Sequence, residues 1–292
     1  MSSNQILVEH SQYKLNNIFY NDLLFYVSDF LNDKESCHLF NTCKTINELV
    51  KKYQRYSIKS VVTDKLNIPL FYKITKMNTS KHFTNLPKSL IDLTISGSSN
   101  ESIIFPPNIV NLELYGSFNL SKFVLPSNLL TLHISGLRCN LTLPESVINL
   151  SIVNCPEFNT DNLPTSLKYL FFYGKFNNVI DYLPTNLKHL GLSEDFNQSV
   201  NHLPSSLNYL KFGSKFNHSL DYLSCKLTHL ILGDDFNKPI NYLPDSIVYL
   251  VLGEKFNHPL PPLPNLKILK ISKNYNKSLD TIPTTAKISR FI

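Results

Sequence analysis

Residues 183–223 read LPTNLKHLGLSEDFNQSVNHLPSSLNYLKFGSKFNHSLDYL and carry one message twice. Leu-Pro stands at 183–184 and again at 203–204. Leu187, Leu190 and Leu192 are answered by Leu207, Leu210 and Phe212, and Phe196-Asn197 by Phe216-Asn217. A fixed beat of this kind marks a chain built from stacked units, and it outranks any reading made segment by segment.

The beat extends in both directions. Prolines stand at 164, 184, 204, 244 and 264, with Ser224 in the missing slot. Phe176, Phe196, Phe216, Phe236 and Phe256 are each followed by Asn. Counting from Pro164, Pro184, Pro204 and Pro244, apolar residues fall at plus three, plus six and plus eight, as in Pro244 with Ile247, Leu250 and Leu252. The same rule runs back through Pro144, Pro126, Pro106 and Pro87. The plus-six and plus-eight residues alternate with ones that face out, which predicts a short strand with one buried face. Such a strand cannot bury its apolar side alone, so each unit must cover the next. Proline interrupts the far side, where extended backbone replaces a helix. The expected fold over residues 86–292 is therefore a solenoid with one parallel β-sheet and a mostly irregular opposite face. Ten coils at about 4.8 Å each give a rod on the order of 48 Å long.

Phe118, Phe176, Phe196, Phe216, Phe236 and Phe256 are expected to stack inside the rod, closed by Tyr275. Asn177, Asn197, Asn217, Asn237, Asn257 and Asn276 fall where the coil turns. There an inward amide can bond backbone groups that the turn leaves unpaired, its own and its neighbour's. After Pro283 the pattern decays to Ala286, Ser289 and Phe291, which reads as a terminal cap.

If Leu170 and Phe172 point inward, Tyr169 and Phe171 point outward. One outward column then runs Tyr169, His189, Tyr209, His229 and Tyr249, and its neighbour includes Phe171, Lys211, Ile231 and Val251. A contiguous amphipathic patch of this kind suits a protein partner, and these nine residues form the candidate binding face. Sequence-tolerant cross-strand pairing is the plainer alternative. Carbohydrate binding by Tyr169, Phe171 and Tyr209 is a third. His189 and His229 lie two coils apart, roughly 9 to 10 Å, too far to share one zinc at about 2 Å per ligand.

Composition excludes several classes. The 292 residues carry a net charge of +6 with no basic stripe of the sort that nucleic-acid binders concentrate. No apolar run is long enough for a membrane span, and the amino terminus lacks the order of a signal peptide, pointing to a cytoplasmic protein. Five cysteines without a Cys-x-x-Cys pair indicate neither a disulfide framework nor a zinc site. No catalytic fingerprint occurs, so no enzyme and no cofactor are expected.

Before Leu86 the beat is absent. Leu23, Leu24, Val27, Phe30 and Leu31 fall at helical spacing, as do Leu39, Cys43, Ile46 and Leu49. Residues 1–55 thus read as a small all-α domain, and 56–85 as a linker and amino-terminal cap of the solenoid.

The repeat Leu-Pro-x-x-Leu-x-x-Leu-x-Leu-Gly-x-x-Phe-Asn resembles the FNIP repeat, a leucine-rich-repeat relative of the kind found in amoebae and giant viruses. The amino-terminal segment is similar to an F-box. Asp22-Leu23-Leu24 matches the family's acidic-Leu-Leu, Val27 and Leu31 match its apolar helical positions, and Cys43-Lys44 its Cys-Lys. Phe19-Tyr20 stands where the family opens with Leu-Pro, and Ile46 where it carries Trp. The resemblance implies docking on a Skp1 adaptor of a cullin-RING ubiquitin ligase through Asp22, Leu23, Leu24, Val27 and Leu31. It implies that the repeats choose a protein substrate. A stand-alone scaffold without a ubiquitin role is the alternative.

Overall fold

The computed structural model describes residues 57–58, 73–78, 90–99, 103–118, 123–136 and 141–291. Thirteen strands form one parallel sheet whose spatial order is the chain order. They are β1 (Ser57–Ile58), β2 (Lys73–Asn78), β3 (Asp92–Ser99), β4 (Asn111–Phe118), β5 (Thr131–Ser135), β6 (Asn149–Val153) and β7 (Tyr169–Tyr173). There follow β8 (His189–Gly191), β9 (Tyr209–Lys211), β10 (His229–Ile231), β11 (Tyr249–Val251), β12 (Ile268–Ser272) and β13 (Lys287–Phe291). Every neighbouring pair is parallel, and Leu170, Leu190, Leu210, Leu230, Leu250 and Leu269 are partners in register. One residue per coil therefore repeats at the same place on the same side.

Two corner turns explain the spacing. The Leu187 N–H donates to the Pro184 carbonyl at 3.0 Å, and Ile247 does the same to Pro244 at 3.1 Å. This four-residue turn sets the plus-three leucine, and proline sits where its carbonyl is needed and its missing N–H is not. Ser224 substitutes for proline because the bond needs only a carbonyl: Leu227 donates to it at 2.9 Å. At the opposite corner Phe196 donates to Ser193, Phe236 to Gly233, and Tyr275 to Ser272, each at 3.2 Å. Here the coils approach so closely that a Cβ on Gly233 would overlap the Gly213 carbonyl, which is why glycine recurs.

The core lies between the sheet and the irregular far side. Leu187, Leu190, Phe196, Leu210, Phe216, Leu230 and Phe236 are all within 1% of full burial. The Phe column stacks face to face: 176 on 196 at 6.2 Å, 196 on 216 at 6.1 Å, 216 on 236 at 6.0 Å and 236 on 256 at 6.1 Å. Tyr275 ends it at 6.1 Å, its hydroxyl donating to the His258 carbonyl. Phe118 stands outside this run and packs on Phe123 instead. In the coil that carries β6 the stretch from proline to phenylalanine, 144–158, is two residues longer than in the next coil, 164–176, and Phe158 reaches the column only edge-on, through Phe172.

The structure corrects three expectations. An all-α domain ahead of the solenoid is replaced, among the described residues, by a fold without helices, in which a parallel solenoid covers residues 92–291. The earliest described elements, β1 and β2, are strands paired in parallel onto the same sheet. Local helical spacing says nothing of the open edge of β3, whose backbone groups a further strand satisfies. The helical segments read from Leu23 to Leu49 lie outside the described residues. Next, the asparagines are exposed or half-exposed, not inward. Each side-chain oxygen accepts from the backbone N–H of the next asparagine, from Asn177–Asn197 at 2.7 Å to Asn257–Asn276 at 3.3 Å. Finally, β13 keeps full register with β12 by placing Ile288 and Arg290, not Ser289 and Phe291, opposite Leu269 and Ile271. The Arg290 guanidinium then donates to the Tyr275 carbonyl at 3.0 Å and covers the end of the core.

Candidate functional site

The nine residues expected on the binding face all occupy the outward side of β7 to β11. Tyr169, His189, Tyr209, His229 and Tyr249 are register partners, as are Phe171, Gly191, Lys211, Ile231 and Val251. The sequence places them there because each flanks a buried leucine by one residue, and strand alternation sends it the other way. Asp22, Leu23, Leu24, Val27 and Leu31 lie outside the described residues.

The first column is a ladder of rings. Tyr169 stacks on His189 at 4.6 Å and 24°, and His189 on Tyr209 at 5.5 Å and 25°. Tyr209 meets His229 at 6.2 Å and 31°, and His229 stacks on Tyr249 at 5.5 Å and 24°. Lys270 ends the ladder with its ammonium 5.6 Å from the Tyr249 ring centre. Because the rings turn their faces to one another along the rod, they present edges and hydroxyls outward. That geometry works against the carbohydrate alternative, which needs open ring faces. Phe171 leans over Gly191, where a Cβ would overlap its ring, and approaches Tyr173 and Tyr209 at 6.2 and 6.3 Å. Most of this face is half-buried by mutual cover; Tyr169 is 38% exposed and Tyr173 47%.

Burial tunes the ladder's ionisation. It lowers the His189 pKa from its ordinary 6.5, helped by the nearby His229, and so favours the neutral ring. Burial also raises the Tyr209 pKa, with Tyr173 and Tyr249 adding to the effect. The Tyr209 hydroxyl therefore remains a proton donor throughout the neutral range. Near the other end of the sheet, Tyr115 pairs with His133 at 4.9 Å, beside Glu113, which accepts from Thr94 and Tyr115. Among the described residues no group of three or more His, Cys, Asp or Glu could hold a metal ion. No described helix is long and apolar enough to cross a membrane.

A second period went unread in the sequence. Coils alternate in pairs: Tyr169, Tyr209 and Tyr249 against His189 and His229, and Lys175, Lys215 and Lys255 against Asp195 and Asp235. The Lys215 ammonium lies 2.6 Å from the Asp195 carboxylate, and Lys255 2.7 Å from Asp235. His218 and His258 likewise each meet the backbone carbonyl of the preceding coil's asparagine at 3.1 Å. Setting residues 169–208 beside 209–248 makes this two-coil unit visible in the letters alone.

Comparison with known proteins yields matching units. Residues 176–215 and 216–255 each match the FNIP Repeat model. Among solved structures, the chain is similar to CroV588, described as a novel circular LRR protein structure. The two share 27% identity at a TM-score of 0.65, over 80% of this chain and 38% of that one. This chain thus spans well under half the length of that relative. YopM from Yersinia enterocolitica WA-314 matches at 17% identity and a TM-score of 0.35, over 74% of this chain and 62% of that one, too distant for argument. No curated protein matches. The chain carries FNIP repeats laid out as a parallel solenoid of the leucine-rich-repeat kind.

Proposed function

We propose that this chain is a protein-binding scaffold whose partner docks on the outward sheet face across β7 to β11, with no chemistry of its own. The observation that carries the reading is the unbroken Tyr169–His189–Tyr209–His229–Tyr249 ladder, held in register by fully buried leucines. Rings on adjacent strands are already ordered, so a partner meets them without the usual entropy cost of fixing side chains. The plainer reading, that the rings only stabilise cross-strand pairs, makes a different forecast for contact. A photo-crosslinking residue in place of Tyr209 should capture a discrete partner in cells. The same residue in place of Tyr222, 76% exposed in a turn outside the sheet, should not. Equal capture at both sites would remove the face from the proposal.

A finer reading draws on the F-box resemblance alone. In it, Asp22, Leu23, Leu24, Val27 and Leu31 engage a Skp1-like adaptor, and the scaffold delivers its partner to a cullin-type ubiquitin ligase in the cytoplasm, a host's if the source is viral. The alternative is a scaffold that works without a ligase. Affinity purification of the full chain against a Leu23→Asp, Leu24→Asp variant separates them. The ligase reading expects the variant to lose adaptor and cullin while keeping its other partners. Retention of both, or absence of both from the unaltered chain, would leave the scaffold alone.

A further inference from the structure

We infer that the occupant of the sheet face is an acidic, extended polypeptide segment lying along the rod. The Tyr169, Tyr209 and Tyr249 hydroxyls and the Lys211 and Lys270 ammonium groups meet its carboxylates. This rests on the protein-binding reading of the face and names the chemistry that the face selects.

Three features lead to it. The stacked rings turn their electron-rich faces inward along the ladder and leave their positive edges outward. Each tyrosine hydroxyl sits at the end of its ring opposite the Cβ, on the outward side of the sheet. None of the three donates to another described residue. Charge points the same way. Neither the strands from β7 to β13 nor the residue leading into each contains an Asp or Glu, while Lys168, Lys188, Lys211, Lys267, Lys270 and Lys287 fall there. Carboxylates do line the edge where the chain leaves the strands, but Glu194, Asp195 and Asp235 are engaged. Glu194 accepts from the Ser214 backbone and hydroxyl, and Asp195 and Asp235 pair with lysines. Asp234 and Glu254 share that edge with Lys215 and Lys255. Spacing completes the match. Successive tyrosines of the ladder stand two coils apart, roughly 10 Å, and three residues of extended chain span about the same distance. A carboxylate at every third residue would meet each hydroxyl in turn. A nucleic acid would supply negative charge too, but its bases need open ring faces for stacking, and this ladder closes them.

The test uses the full chain and a fluorescent fifteen-residue Glu-Gly-Ser repeat peptide, read by anisotropy at low salt. Binding is expected to fall about tenfold in a Lys211→Glu, Lys270→Glu variant. It should change less than about twofold in a Lys238→Glu, Lys277→Glu control, whose exposed lysines sit in turns off the face. Tyr209→Phe keeps the stack and removes one donor, and should cost about threefold to tenfold. Circular dichroism confirms that each variant is folded. A labelled oligouridine that binds more tightly than the peptide and loses affinity with the same two lysines overturns the inference in favour of nucleic acid. Equal loss in the face variant and the control overturns it in favour of unspecific attraction. Should crosslinking at position 209 capture a partner that the acidic peptide fails to displace, the acidic preference falls and the protein-binding reading stands. Should neither occur, both fall.

Discussion

At the scale of single residues, the polar groups that the coil leaves unsatisfied are the informative ones. Asn208 has a buried side-chain oxygen with no hydrogen-bond partner. One coil later the same place is held by Thr228, whose hydroxyl donates to the Asn208 carbonyl. Asn208→Thr should therefore let the new hydroxyl donate to the Lys188 carbonyl and raise stability by about 1 kcal/mol in urea unfolding. His189 has a pH signature. With its folded pKa below 6.5, the unfolded chain takes up protons first as pH falls. Its contribution is complete above about 6.5 and is lost as pH drops toward the folded value. His133 acts in the same direction, lowered by burial and partly restored by Glu113. The urea midpoint should be lower at about pH 5.5 than at about pH 7.5, and His189→Gln should shrink that difference. An unchanged difference would place the proton uptake elsewhere.

At the scale of the coil, stability is a matter of contact between neighbours. Phe216 lies fully buried between Phe196 and Phe236, and Phe212 stacks on it at 3.8 Å. Phe216→Ala should destabilise by about 3 to 5 kcal/mol, whereas Tyr222→Ala, in its exposed turn, should stay within about 0.5 kcal/mol. Thermal melts of the two variants check this. The same contrast explains what was readable in the letters. Leu190, Leu210 and Phe216 could be placed because burial imposes strict spacing, and their outward neighbours Tyr169 and Tyr209 followed by alternation. Ring orientation did not follow, since spacing fixes the Cβ direction and leaves the side-chain torsions to packing. The asparagines follow a related rule. A turn needs a polar group, and the bond to the neighbouring coil's backbone is legible from that need. Only the turn's geometry decides that the amide makes it from the surface and not from inside. The pattern from Leu23 to Leu49 describes local periodicity, whereas β1 and β2 belong to the sheet through contacts between units that no local window contains.

At the scale of the whole molecule, the two-coil unit sets how the rod can change length. Deleting residues 209–248 removes one Tyr coil and one His coil and leaves Lys255 beside Asp195. Deleting 209–228 alone sets Asp195 beside Asp235 and His189 beside His229. Like charges in adjacent coils repel, and dissolved ions weaken that repulsion. Added salt should therefore raise the melting temperature of the one-coil deletion, and leave level or lower that of the two-coil deletion. The same rise in both would mean that the alternation carries no electrostatic meaning. If it does carry one, the rod behaves like a polymer of dimeric letters. Its contact wall grows or shrinks in quanta of about 10 Å, and a guest reading that wall would gain or lose a whole phase of the pattern at each step, never half of one.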